Sequence, residues 1–213
     1  MSWRATARSI LLAYLVLTAA LAAVGRLLRQ RPPGLDEATS EWLAGHRFAA
    51  LDEVTGAVSE WSSMWPIVIG ALGTFLVLGA VGALRSAAAL LVGLGLEIAV
   101  YVSVTGLVGR PRPEVDPLDP VAVTSSFPSG HVAAAIALYG GWAVVINRLA
   151  RTCWPVRVMT VLAVVVPQAV AFSRIYRGQH HPTDVVAGAV LGVACLVVAT
   201  TVTAPLDDRV GPA

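Results

Sequence analysis

The chain has 213 residues, 56% of them hydrophobic and 13% charged, with a formal net charge of +2. An ordinary soluble domain carries about 25% charged residues, so this composition excludes a water-covered globular surface and predicts several membrane spans in a single domain, 1–213. The charge is small and has no blocks, which points away from nucleic acid as a partner.

All 15 basic residues are arginine, and the two cysteines, Cys153 and Cys195, form no disulfide framework. The first apolar run, Ser9–Val24, follows Arg4 and Arg8 and continues through Leu27-Leu28 past Arg26. A signal peptide would share that start and a small-residue site at Ala20-Leu21-Ala22. The length of the run favours a span in which Arg26 snorkels. Pro32–Ser63 is the longest polar stretch, and Leu35, Thr39, Trp42, Leu43, Leu51, Val54 and Val58 recur in it near helical spacing. This predicts one or two short amphipathic helices at the interface, against the plainer reading of a solvated loop. Trp42, Trp61 and Trp65 suit the headgroup level.

Pro66–Leu84 is the predicted second span, with Gly70, Gly73, Gly79 and Gly82 permitting close helix approach. Ala87–Val108 is the third, with Glu97 near its middle; structural and functional readings of that carboxyl are evenly balanced. A polar loop, Gly109–Pro128, precedes the fourth span, Val132–Ile146. Val156–Phe172, carrying Pro167, is the fifth, and Val185–Val202, carrying Gly188 and Gly192, is the sixth. The expected fold is an all-α, multi-pass membrane bundle of about six transmembrane helices, with an amphipathic interfacial segment between the first two.

Loop charge orients the bundle. With the N-terminus in the cytoplasm, Arg4, Arg8, Arg85, Arg148, Arg151, Arg157 and Arg209 lie inside and Arg26, Arg29, Arg31 and Arg47 outside, the candidate site set aside. Whichever way the bundle faces, two spans separate the Gly109–Pro128 loop from the polar segment Ser173–Asp184, so both open on one side.

Three segments on that side carry the chemistry of a phosphate site. Gly109-Arg110-Pro111-Arg112-Pro113 places two arginine forks at a span exit. Pro128-Ser129-Gly130-His131 leads into the fourth span; Ser125 or Ser126 could cap it, and the free N–H groups of Ser129, Gly130 and His131 would face an anion. In Ser173–Asp184, Ser173 and Arg174 end the fifth span, and His180 precedes Pro182, a residue suited to a helix start. Asp184, in the first turn, can reach back to one nitrogen of His180 and leave the other to attack. Two histidines near one phosphate divide the labour into nucleophile and acid. Taken singly, each segment is an interface anchor, a helix start or a common helical pair; their convergence on one membrane face is what points to a site. His181 stays ambiguous, and His46 reads as a loop histidine.

These segments resemble the signature of the type 2 phosphatidic acid phosphatase family, membrane lipid phosphatases that share a helical core with vanadium haloperoxidases. The signature reads Lys-x6-Arg-Pro, Pro-Ser-Gly-His and Ser-Arg-x5-His-x3-Asp. The second and third elements match in full at Pro128–His131 and at Ser173, Arg174, His180 and Asp184. The first matches at Arg112-Pro113, but Thr105 stands where the pattern has Lys. The matched region is 105–184.

The resemblance implies that His180 attacks phosphorus and forms a phosphohistidine, that Asp184 orients it, and that His131 protonates the leaving group. It also implies that Arg112, Arg174, Ser173 and the Ser129–Gly130 backbone hold the phosphate oxygens, with no metal or other cofactor. Arg177 and Arg110 lie near enough in sequence to supply the cation missing at Thr105. The expected activity is metal-independent hydrolysis of lipid phosphates or isoprenoid phosphates or diphosphates at the extracytoplasmic face of the cell membrane, with membrane lipids as the other partner. The competing reading is a non-catalytic lipid-phosphate binder or transporter. A soluble vanadate-dependent haloperoxidase fits neither the composition nor Thr105. The sequence leaves the particular lipid and the oligomeric state open.

Overall fold

The computed structural model describes residues 3–30, 34–121 and 123–203. Among them are eight helices: α1 (Trp3–Arg29), α2 (Leu35–Gly45), α3 (Ala49–Glu60), α4 (Met64–Ala80), α5 (Leu84–Val108), α6 (Gly130–Leu149), α7 (Cys153–Tyr176) and α8 (Pro182–Thr203). In hydrocarbon a helix satisfies its own backbone, so long apolar runs fold this way irrespective of sequence detail. Five helices (α1, α5, α6, α7 and α8) are long and apolar enough to cross a membrane, and a sixth span arises if α3 and α4 are taken together across a 42° bend. At 17 residues α4 is only about 26 Å long, short of a bilayer core of about 30 Å.

α5, α6 and α8 form the centre. Val100 and Val104 of α5, Ala133 of α6, and Leu191 and Cys195 of α8 make one apolar cluster, onto which Leu21 and Ala22 dock α1. A second cluster joins Val132 and Ala135 of α6 to Val166 and Val170 of α7. Gly188 and Gly192 both face α6, where a Cβ would meet the carbonyl oxygens of Ser129 and Ala133. Gly70 meets Trp142 and Leu138 of α6, whereas nothing lies within 4 Å of a Cβ built at Gly73. The outer faces stay apolar: Leu11, Leu15 and Val16 of α1 and Val161, Val164 and Val165 of α7 are exposed, as contact with lipid requires.

The polar stretch after α1 becomes two helices, as its periodicity suggests. They are fastened to the loop end of the bundle by buried polar contacts. Ser173 Oγ of α7 donates to the Thr55 carbonyl (2.7 Å), and Arg174 Nη1 to Ser59 Oγ (2.7 Å). Tyr176 Oη donates to Asp52 (2.7 Å). The acids Asp36 and Glu37 of α2 reach the start of α8 and the Arg110 loop. α2 and α3 are therefore a roof over the loops that carry the arginines and histidines.

Candidate active site

α5 ends at Gly109, whose φ of 59° is left-handed and suits glycine, and Arg29 of α1 donates to the freed Val108 carbonyl (2.9 Å). The loop that follows is zipped at its base: Ser126 N–H donates to the Arg110 carbonyl (3.0 Å), Arg110 N–H to Ser125 Oγ (3.0 Å), and Ser126 Oγ to the Pro111 carbonyl (2.8 Å). Ser125 and Ser126 thus close the loop. The residue at the head of α6 is Ser129, which makes no side-chain capping bond.

The turn after α7 is equally fixed. Gly178 takes a φ of 71°, and the N–H groups of Gln179 and His180 both donate to the Arg174 carbonyl (3.1 and 3.3 Å). This folds His180 back toward α7 just before α8 begins at Pro182.

The two segments meet around a cavity of about 260 Å³. Arg112, His131, Arg174 and His180, four of the residues expected from sequence, line it together with Tyr101, Asp119 and Gln179. A larger, open cleft of about 530 Å³ lies beside it, lined by Asp36, Glu37, Arg110 and His181 and sharing Arg112. The smaller cavity is the chemically relevant one, because it alone holds the His131–His180 pair.

His180 Nδ1 lies 2.7 Å from the Ser126 carbonyl oxygen. A carbonyl only accepts, so Nδ1 carries the ring proton and Nε2 keeps its lone pair. Burial pushes the His180 pKa well below 6.5, Arg174 adds to this, and Asp184 opposes it, so the ring is neutral at physiological pH. Arg112 donates to the Gln179 carbonyl. Burial lowers the Arg112 pKa, with the Tyr101 oxygen the first influence against it and Asp184 the second. Arg174 keeps a buried Nε without a hydrogen-bond partner, and buried Ser129 Oγ also has none. Unsatisfied buried donors of this kind mark where a ligand's acceptors belong.

Several expected roles are redistributed. Asp184 Oδ2 is 4.0 Å from His180 Nδ1 and instead accepts from His181 N–H (2.9 Å) and Nδ1 (3.1 Å). Its Oδ1 accepts from Arg110 (2.5 Å). The geometry of a three-residue return favours His181 over His180, since the backbone N–H and ring of His181 both face the first turn of α8. The Ser129 N–H is spent on the Asp184 carbonyl (3.0 Å), which leaves Gly130, His131 and Val132 as the first-turn donors without a helical acceptor. Ser173 is buried against α3, away from the cavity.

Neither proposed substitute cation lines the smaller cavity. Arg177 is forked onto Asp119 and also donates to the Asp52 carbonyl (2.8 Å). Arg110 is held between Asp184 and Asp36, the latter at 2.7 Å. Thr105 Oγ1 bonds back to the Tyr101 carbonyl of its own helix (2.9 Å).

Sequence reasoning missed Tyr101, Asp119 and Gln179, and it read Ser126 as a helix cap and not as the partner of His180. Asp119 stays ionised because Arg177 hydrogen bonds outweigh burial, with Arg174 adding to the effect at 3.5 Å. Gln179, 1% exposed, donates to the Asp119 carbonyl (3.0 Å) and so ties the two loops together. A fully buried Gln inside a polar motif could have been suspected; nothing local marks the other two. Among the described residues no group of three or more His, Cys, Asp or Glu is placed to hold a metal ion.

A helical membrane bundle whose loops converge two histidines and two arginines, Arg174 buried and Arg112 half-buried, on one cavity is, by class, a phosphatase. The chain belongs to the PAP2 superfamily, whose profile matches residues 86–207, more than half of its length. In structure it is similar to the crystallised PAP2-type phosphatidylglycerolphosphate phosphatase of Bacillus subtilis, with a TM-score of 0.70 and 25% identity, covering 94% of this chain and 97% of that one. It also shares its fold with LpxE of Aquifex aeolicus, with a TM-score of 0.61 and 22% identity over 81% of this chain and 98% of that one. No curated protein matches the chain in sequence.

Proposed function

We propose that this phosphatase hydrolyses lipid phosphates, or isoprenoid phosphates or diphosphates, at the extracytoplasmic face through a phosphohistidine on His180, without a metal ion. The observation that carries the reading is the pairing of an unprotonated His180 Nε2 with His131, Arg112 and Arg174 around one cavity.

Nε2 attacks phosphorus, and the bond to the leaving oxygen breaks as His131 gives that oxygen a proton. Water then attacks phosphorus as the bond to Nε2 breaks, and it hands one proton to His131, which returns both histidines to their starting states and releases phosphate. Arg112 and Arg174 balance charge on the non-bridging oxygens, the service a metal ion performs elsewhere. The lipid class is supported by the apolar outer faces of the bundle, which place the enzyme among lipids, and by the phospholipid substrate in the name of the Bacillus subtilis relative. The facing is supported by the excess of arginines on the opposite loops.

The test is phosphate release in detergent with chelator present, across phosphatidylglycerophosphate, phosphatidic acid and undecaprenyl diphosphate. Acid-labile label on the wild-type protein that is lost in His180→Ala supports the mechanism. Binding without release would establish the non-catalytic alternative. His131→Ala should lose about 10²–10⁴-fold on lipid substrates and less on an activated aryl phosphate. A cysteine introduced in the 114–119 loop should react with an impermeant label from outside.

A further inference from the structure

α5 runs past the cavity, yet among its described residues Tyr101 is the one side chain lining it. Thr105, one turn on, spends its hydroxyl on the carbonyls of Tyr101 and Val102. The Tyr101 ring lies against the start of α6: a methyl at Gly130 would come within 2.8 Å of its Cε2 and 2.9 Å of its Cζ. The carbon that bears the hydroxyl is therefore packed against Gly130, in the first turn of α6. The phenol makes no hydrogen bond to another described residue. Tyr101 lines the same cavity as Arg112 and Arg174.

A phenol in this position has one task open to it that the two guanidinium groups and the helix start share. We propose that Tyr101 is a substrate-contacting residue whose hydroxyl donates a hydrogen bond to a non-bridging phosphate oxygen, completing from α5 the set formed by Arg112, Arg174 and the α6 N-terminus. This rests on the phosphatase reading above for its ligand, a phosphate monoester or the terminal phosphate of a diphosphate. The space left by Gly130 is what admits the ring, so the glycine and the tyrosine act as a unit. The rigid ring also fixes one wall of the cavity, so the donor is held in place before substrate arrives.

The test is Tyr101→Phe in the full detergent-solubilised chain, which keeps the ring and removes only the donor. Inorganic phosphate is the probe, its binding read by calorimetry and its inhibition constant against p-nitrophenyl phosphate hydrolysis read separately. A hydrogen bond to a charged acceptor is strong enough that both values should weaken by about 10-fold or more, with kcat/KM falling in parallel. Unchanged phosphate affinity and kcat/KM would overturn the inference, as would a lowered unfolding temperature with phosphate affinity intact. If the wild type binds phosphate but releases none, weaker binding by the variant upholds the role of Tyr101 while the hydrolase reading falls. If the wild type is active and the variant matches it, the reverse holds.

Discussion

Nδ1 of His180 and the carbonyl oxygen of Ser126 are 2.7 Å apart, although 54 positions separate the two residues in the chain. The tautomer of His180 is thereby set by the loop between α5 and α6. Asp184 stands 4.0 Å away and joins Arg110 and His181 to the head of α8.

Asp184→Asn should therefore lower kcat by roughly 10–10²-fold, short of the roughly 10⁴-fold loss seen where a carboxylate alone holds the catalytic imidazole. It should also destabilise the protein by about 2 kcal/mol, below the usual cost of breaking a buried ion pair because Arg110 keeps Asp36. Turnover and thermal unfolding measured on one preparation separate the two effects. A full 10⁴-fold loss with unchanged stability would mean that His180 turns to Asp184 during the reaction.

The depressed pKa of His180 has a consequence for stability. Above pH 6.5 the ring is neutral in both the folded and the unfolded chain. As pH falls below 6.5 the unfolded chain takes up a proton that the folded site refuses, so stability is lost progressively toward the lower, folded pKa. Asp119 acts in the same direction at lower pH, since its carboxylate is also depressed below 3.8. The unfolding temperature should thus decline between pH 6.5 and 5, and His180→Gln should flatten that decline. An equal slope in the variant would assign the effect to other groups.

Arg177 belongs to the roof. Its guanidinium joins Asp119 to the Asp52 carbonyl and Thr55 Oγ1 (3.2 Å), linking α3, the loop and the end of α7. Arg177→Ala should cost about 2 kcal/mol, reduced from the value for a fully buried pair because Asp119 is 28% exposed. Thr105→Lys should not restore activity in that background, because the missing contact is not one with phosphate. Recovery of turnover by the double variant would return Arg177 to the role of substitute cation.

Gly188 sets the distance between α8 and the head of α6, since a Cβ there would collide with the Ser129 carbonyl. Backbone cannot swing aside as a side chain can, so Gly188→Ala should destabilise by about 1–3 kcal/mol. It should also displace the Pro128–His131 segment and lower kcat more than it raises KM. Wild-type turnover in Gly188→Ala would show that the helix start tolerates the shift.

Five of the six expected spans, the shared side of the three polar segments and four residues of the cavity were legible in the sequence, whereas the run at 66–84 yields only the short α4. Hydrocarbon forces an apolar run of sufficient length into a helix, and helix parity then decides which loops share a face. Arg112, His131, Arg174 and His180 were legible because each lies in a short polar segment at or just beyond the end of an apolar run.

The tertiary structure alone decided how donors and acceptors are shared out. A hydrogen bond is made or lost within a few tenths of an ångström near 3 Å, and no spacing rule reaches that accuracy across a fold. So the Ser126 carbonyl accepts from His180 Nδ1–H, Asp184 accepts from Arg110 and His181, and Asp119 accepts from Arg177. Tyr101 reads in the sequence as one more aromatic residue in a span; only the packing of α5 against Gly130 brings it to the cavity.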